Sequence, residues 1–162
     1  MESKKIVGDF GEVLVSFCLS SLLDKEKIPI YQVGAGNYTY DIVIPSKSTI
    51  FKKPVFISVK TRELKTLETF KWICPPTLES IENDKIYANS IGYDFWIAIV
   101  IWDNSSDYSF NIYMLKSEML NKDDFGKKDE IKVKNFIEKS KKFGLLFNSE
   151  KMKSETSWRN FN

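Results

Sequence analysis

Apolar residues along the chain follow two rhythms. In "IVGDFGEVLVSFCLSSLL", Ile6, Phe10, Val13, Leu14, Phe17, Cys18 and Leu22 recur every three or four residues, which predicts one apolar face of a helix running to about Lys25. Pro29 stops it and "IPIYQV" begins a strand. The glycine-rich "GAGNYT" reads as a turn into a second strand, "YDIVIP", and "PSKSTIFKKP" as a turn into a third, "VFISVKT". "ELKTLETFKWICPP" fits neither rhythm, whereas "PPTLESIENDKIYANSIG" predicts a helix opening at a proline and closing at Gly92. "DFWIAIVIW" is nearly continuous, as in a central strand covered on both faces, and the alternating "YSFNIYML" should pair beside it. After a short helical turn at "SEML", "DEIKVKNFIEKSKKFG" predicts a basic amphipathic helix with Ile131, Val133, Phe136, Ile137 and Phe143 inward. With no repeat and no linker, residues 1–150 are expected to form one α/β domain, and the aperiodic 151–162 a loosely attached tail.

Composition narrows the class. The chain has 162 residues, 43% hydrophobic and 14% aromatic, with a net charge of +2, which fits one globular domain rather than a disordered chain. No run approaches the length of a membrane span, and "MESKKIVGDFGE" lacks a signal-peptide core, so an intracellular, cytoplasmic protein without a membrane partner is expected. Cys18 and Cys74 are read as buried thiols. Histidine is absent, which excludes Ser-His-Asp and Cys-His catalysis, histidine-ligated zinc and any nuclease with a histidine base. What chemistry is left belongs to carboxylates, lysine, serine, tyrosine or an oxygen-ligated metal. Charge is also segregated. Residues 1–62 hold nine basic against six acidic residues, 63–130 seven against thirteen, and 131–162 eight against three. A basic face for a polyanion is therefore open to this chain, as is a merely solvated lysine-rich surface.

The third strand carries the candidate chemistry. Alternation puts Val55, Ile57, Val59 and Thr61 on one face and Phe56, Ser58 and Lys60 on the other, so a hydroxyl and an ammonium stand about 7 Å apart on an apparently interior strand. Asp41 opens the preceding strand, and Glu12 lies on the first helix. In this order the residues resemble the PD-(D/E)xK nuclease superfamily, notably its restriction-endonuclease-like and archaeal Holliday-junction-resolvase-like members. There a helix supplies a Glu, as in "GDFGE"; a strand supplies an Asp, as in "YDIVIP"; and the next strand supplies an acid-x-Lys triplet, here "SVK". The resemblance covers roughly residues 6 to 101. It implies a restriction-endonuclease-like core of a helix, three strands, a helix and further strands, in a mixed central sheet flanked by helices.

The resemblance also implies a magnesium- or manganese-dependent DNA endonuclease. Phosphodiester hydrolysis needs a cation to neutralise the phosphate and to make hydroxide from water, and hard cations prefer oxygen ligands. Asp41, Glu12 and the Val59 carbonyl would hold the metal, and Lys60 would orient the attacking water or help to deprotonate it. Ser58 departs from the family, standing where it has an acid. Three readings stay open: a one-metal nuclease, a nuclease whose missing acid comes from elsewhere, or a catalytically inactive nucleic-acid-binding or protein-interaction module on the same fold. Glu63 would face away from Lys60 and is not favoured as the replacement. Lys132, Lys134, Lys139, Lys141 and Lys142 are the candidate DNA-backbone contacts. Trp158, near Lys151, Lys153 and Arg159, is a candidate for base stacking or for a subunit contact such as a homodimer's.

Overall fold

Helix α1 (Glu2–Leu23) leads through strands β1 (Tyr31–Gln32) and β2 (Ile42–Ile44) to the long strand β3 (Val55–Glu63). Helix α2 (Leu64–Thr69), strand β4 (Trp72–Thr77) and helix α3 (Leu78–Ser90) cross over to β5 (Asp94–Asp103), which is followed by β6 (Ser109–Lys116). Strand β7 (Glu130–Lys132), helix α4 (Val133–Phe143) and strand β8 (Leu145–Asn148) complete the fold. The structure, a computed structural model, describes residues 2–33, 39–69, 72–103 and 109–149, and for residues 2–7, 67–69, 74 and 75 the backbone alone. The "GAGNYT" turn up to Tyr38, the Cys74 side chain and the tail with Trp158 lie outside the described residues.

The architecture is α/β with a mixed sheet of six strands, ordered β1-β2-β3-β5-β6-β8, and a second sheet of β4 and β7. The β3–β5 pair is parallel, Val55 to Glu63 against Asp94 to Trp102, and the other pairs are antiparallel. The central strand is covered on both faces, as its sequence predicts. Phe95, Ile97, Ile99 and Ile101 enter one buried cluster with Phe56, with Ile81 and Ala88 of α3 and with Phe136 of α4. Ala98 and Val100 enter the other, with Val55, Ile57 and Val59 of β3 and Val15, Cys18, Leu19 and Leu23 of α1. The predicted alternation of β3 thus holds, with α1 on the Val59 side and α3 on the Phe56 side.

The expected face of α1 is corrected. Phe10, Val13, Phe17 and Leu22 are exposed, between 41% and 54%; Cys18 is buried and Leu14 partly buried as expected, Val15, Leu19 and Leu23 complete the buried face, and the Ile6 side chain lies outside the described residues. From Val13 to Leu23 the helix is apolar almost all round, so spacing alone leaves its rotation open. Gly11 decides it. A Cβ there would come within 1.8 Å of Thr61 Oγ1, so only glycine lets the helix backbone lie on β3.

Three further expectations change. The α3 helix opens at Thr77 rather than at a proline: Thr77 accepts a hydrogen bond from the Ser80 N–H, and the Ser80 hydroxyl accepts one from the Thr77 N–H. The prolines belong to β4. Ile131 is buried, but in strand β7 rather than in the basic helix, which starts at Val133. Phe143 is 53% exposed, because the helix ends there and Gly144 packs its backbone against the Met114 carbonyl before β8 begins.

Candidate active site at the open edge of β3

Strand β2 pairs with β3 only from Ile44 opposite Val55 to Ile42 opposite Ile57. Strand β3 runs on to Glu63 against β5, so beyond Ile57 its other edge has no β2 partner. Asp41 closes the ladder. Its N–H donates to the Ile57 carbonyl at 2.8 Å, and its carbonyl accepts from the Val33 N–H at 2.8 Å. Its side chain then takes the place of a missing strand residue, Oδ2 accepting from the Val59 N–H at 2.6 Å. In a strand the N–H and C=O of one residue point to the same edge, so the Val59 carbonyl faces the same open side as Asp41.

Three sequence-predicted residues meet here. Lys60 Nζ lies 4.0 Å from Asp41 Oδ2, with each side chain about a quarter exposed. Glu12 reaches the edge from α1. Burial pushes its pKa up to about 7, the Asp41 and Asp9 carboxylates add to the rise, and Lys60 opposes it. Glu12 is thus a carboxylate poised near neutral pH in a field of excess negative charge. Ser58 is 3% exposed, on the Phe56 side of β3. Glu63 ends β3 and is partly exposed.

The sequence reading missed Asp84. Tyr87, one turn after it on α3, has its ring parallel to Phe56 at 6.3 Å, which fixes α3 over the Phe56–Ser58–Lys60 row. Burial raises the Asp84 pKa, opposed by a hydrogen bond from the Thr39 side chain and by the Lys60 charge. The Lys60 charge is therefore felt by carboxyls from both sides of the sheet. A signal was present: Ile81 and Ala88 are buried, and Asp84 sits three residues after one and four before the other, a polar residue in an apolar stripe.

The donor set suits a hard cation, being two carboxylates and a main-chain carbonyl, with negative charge that Lys60 alone does not balance. It would supply few ligands, leaving most positions to water. Among the described residues no group of three acidic or cysteine side chains is gathered tightly enough to hold a metal ion.

The candidate DNA-contacting lysines separate. Lys134 and Lys141 are exposed, and Lys142 lies 5.0 Å over the Phe143 ring. Lys132 Nζ donates to the Asp123 carbonyl at 2.9 Å. Lys139 turns inward, paired with the buried Asp124 and donating to the Met119 carbonyl at 2.9 Å. No family model matches the chain, and no curated protein is similar to it in sequence. Among the described residues no helix is long and apolar enough to cross a membrane.

Proposed function

We propose that the protein is a metal-dependent nuclease of restriction-endonuclease-like fold that hydrolyses DNA phosphodiesters at Glu12, Asp41 and Lys60. The observation that carries this reading is the convergence at one open strand edge of Lys60, 4.0 Å from Asp41, and a Glu12 whose pKa lies near 7. These side chains come from helix α1, the residue before β2 and strand β3, far apart in sequence, and a solvated surface gives no reason for them to gather. Asp41, Glu12 and the Val59 carbonyl would hold magnesium or manganese. When bound, the ion would neutralise charge developing on the phosphate and acidify a water.

The chain's own groups do the rest. Asp41 is held by its bond to the Val59 N–H, so it can offer a carboxylate oxygen with little further rotamer loss. Glu12, half-buried beside the Asp41 carboxylate, would give up its proton to ligate the cation, so metal affinity should rise with pH through neutrality. Lys60 sets a positive charge beside the incoming phosphate, and the Asp84 carboxyl on α3 lies within reach of its field. A second reading, an inactive DNA-binding module, is favoured by the neutral Ser58 and the sparse ligand set.

Incubation with branched, single-stranded and duplex DNA in magnesium or manganese separates the two. Cleavage lost in Asp41→Ala and Lys60→Ala supports the nuclease, and cleavage unchanged in both refutes it. Magnesium titration by calorimetry asks directly whether the Ser58-substituted site takes a cation.

A further inference from the structure

The β4–β7 sheet and the loops beside it enclose a cleft of about 480 Å³ that the proposed active site does not use. This volume is within the usual range for a small-molecule site. Trp72, 42% exposed, and the buried Phe125 line it. Gly126 lies so close to the Trp72 ring that a Cβ would stand 2.9 Å from Cζ3, so backbone holds one side of the indole. Three lysines, Lys122, Lys127 and Lys132, stand around this aromatic pair.

The walls are prebuilt. The Asn121 side chain accepts from the Asp123 N–H at 3.1 Å, and the Asp124 carboxylate accepts from the Asn121 N–H at 2.8 Å while paired with Lys139. Opposite, the Gly126 N–H donates to the Glu130 carbonyl at 2.8 Å and the Lys128 N–H to the Glu130 carboxylate at 2.8 Å. Asp129 closes this loop with a φ of 56°, a left-handed conformation uncommon outside glycine. Among the described residues the Lys122 and Lys127 ammonium groups enter no ion pair or hydrogen bond.

We propose that this cleft binds an unpaired nucleotide, its base stacked on Trp72 and its phosphate among Lys122, Lys127 and Lys132. A simple anion has no use for a half-exposed indole, and an apolar ligand would have to share its site with three ammonium groups. A nucleotide satisfies both features at once. The Asp123 and Asp129 side chains, also lining the cleft, disfavour a bare run of phosphates and offer acceptors to the exocyclic amines of a base. Bases stacked inside a duplex cannot reach the indole, so the ligand is a single-stranded segment or a free nucleotide. The inference does not depend on catalysis at Glu12, Asp41 and Lys60.

Binding of a short fluorescent single strand to the full chain in EDTA, followed by anisotropy, tests it without cleavage. Trp72→Ala is expected to weaken binding by about 5- to 150-fold, the range for one stacked base. Lys122→Ala and Lys127→Ala should each lower the slope of log affinity against log salt by about one. Trp72→Phe keeps a ring and should recover most of the affinity; if melting shows the alanine variant unfolded, Trp72→Leu, which fills space without a stacking face, replaces it with the same expected loss. Competition by AMP identifies a free nucleotide as sufficient. Trp72-dependent strand binding without AMP competition identifies a strand segment, and both results support the proposal. Equal affinity for duplex and single strand, unchanged in the Trp72 and Lys127 variants, overturns it.

Discussion

Lys139 was a candidate DNA contact by sequence, and its position in the fold predicts a different role. Its ammonium pairs with Asp124, a carboxylate only 2% exposed whose other described partner is the Asn121 N–H at 2.8 Å. Lys139→Met keeps the aliphatic stem and removes the charge, leaving a buried carboxylate with one hydrogen bond. Breaking such a pair from one side costs about 3–5 kcal/mol. The Lys139 side chain is itself 25% exposed, so water can reach the abandoned acid and the lower end of that range applies. With an m-value of about 2 kcal/mol/M, a loss of about 3 kcal/mol moves the urea midpoint down by about 1.5 M. Asp124→Asn keeps an acceptor for Asn121 without the charge, so adding it to Lys139→Met should recover at least half of the loss. Tryptophan fluorescence in urea at pH 7 reads the parent and both variants. If Lys139→Met keeps the parent midpoint and only weakens DNA binding, the structural role is refuted and Lys139 is a phosphate contact after all.

Other consequences are equally direct. The Glu12 carboxyl is raised from an ordinary 4.5 to about 7, so between those values the folded state binds the extra proton and stability falls as pH rises. A shift of that size is worth about 3 kcal/mol for a fully desolvated group; half-buried Glu12 is screened, and about 1 kcal/mol is expected. Glu12→Gln should therefore melt higher than the parent at pH 8 in EDTA and converge with it near pH 4; a parent more stable at pH 8 contradicts the assignment. Asp84→Asn should leave the fold intact and lower DNA cleavage by no more than about fivefold, the equivalent of about 1 kcal/mol for a partly solvated charge interaction with Lys60; full activity would remove Asp84 from the site. Gly11→Ala should cost about 1–2 kcal/mol, since a 1.8 Å approach to Thr61 puts overpacking in the upper part of its range, about 2–3 kcal/mol, against a helix-propensity gain of about 1. In a Thr61→Ala background, where only the Cβ contact at 3.0 Å remains, most of that cost should disappear, and denaturation of the double variant checks it.

Much of this was legible along the chain. Strand β5 announced itself because a strand covered on both faces must be apolar at nearly every position, and β3 because Phe56 and Val59 alternate between two buried clusters. The site was partly legible for the same reason: Lys60 interrupts an interior strand, and Asp41 opens the strand before it. Asp84 was legible only as a break in a stripe, since nothing in "IENDKIYANS" says which strand that helix crosses. The rotation of α1 was not legible, because its apolar residues leave two phases open and the deciding contact, Gly11 on Thr61, joins positions fifty residues apart. The same limit applies to the basic helix, where Lys139 and Lys141 look alike until Asp124 lies beneath one of them.

The sequence by itself therefore determined the α/β class, the order of most strands and helices, the two faces of β3 and the residue types available for chemistry. These depend on local periodicity and on composition, both of which one chain carries in full. Tertiary structure alone decided that β2 stops short and leaves an edge where Asp41 bonds the Val59 N–H. It alone placed Glu12 and Asp84 around Lys60, buried the charge of Lys139 and left those of Lys122 and Lys127 around an exposed indole. Burial and electrostatic fields are properties of neighbours in space, and the spacing of residues along a chain does not specify which neighbours those will be.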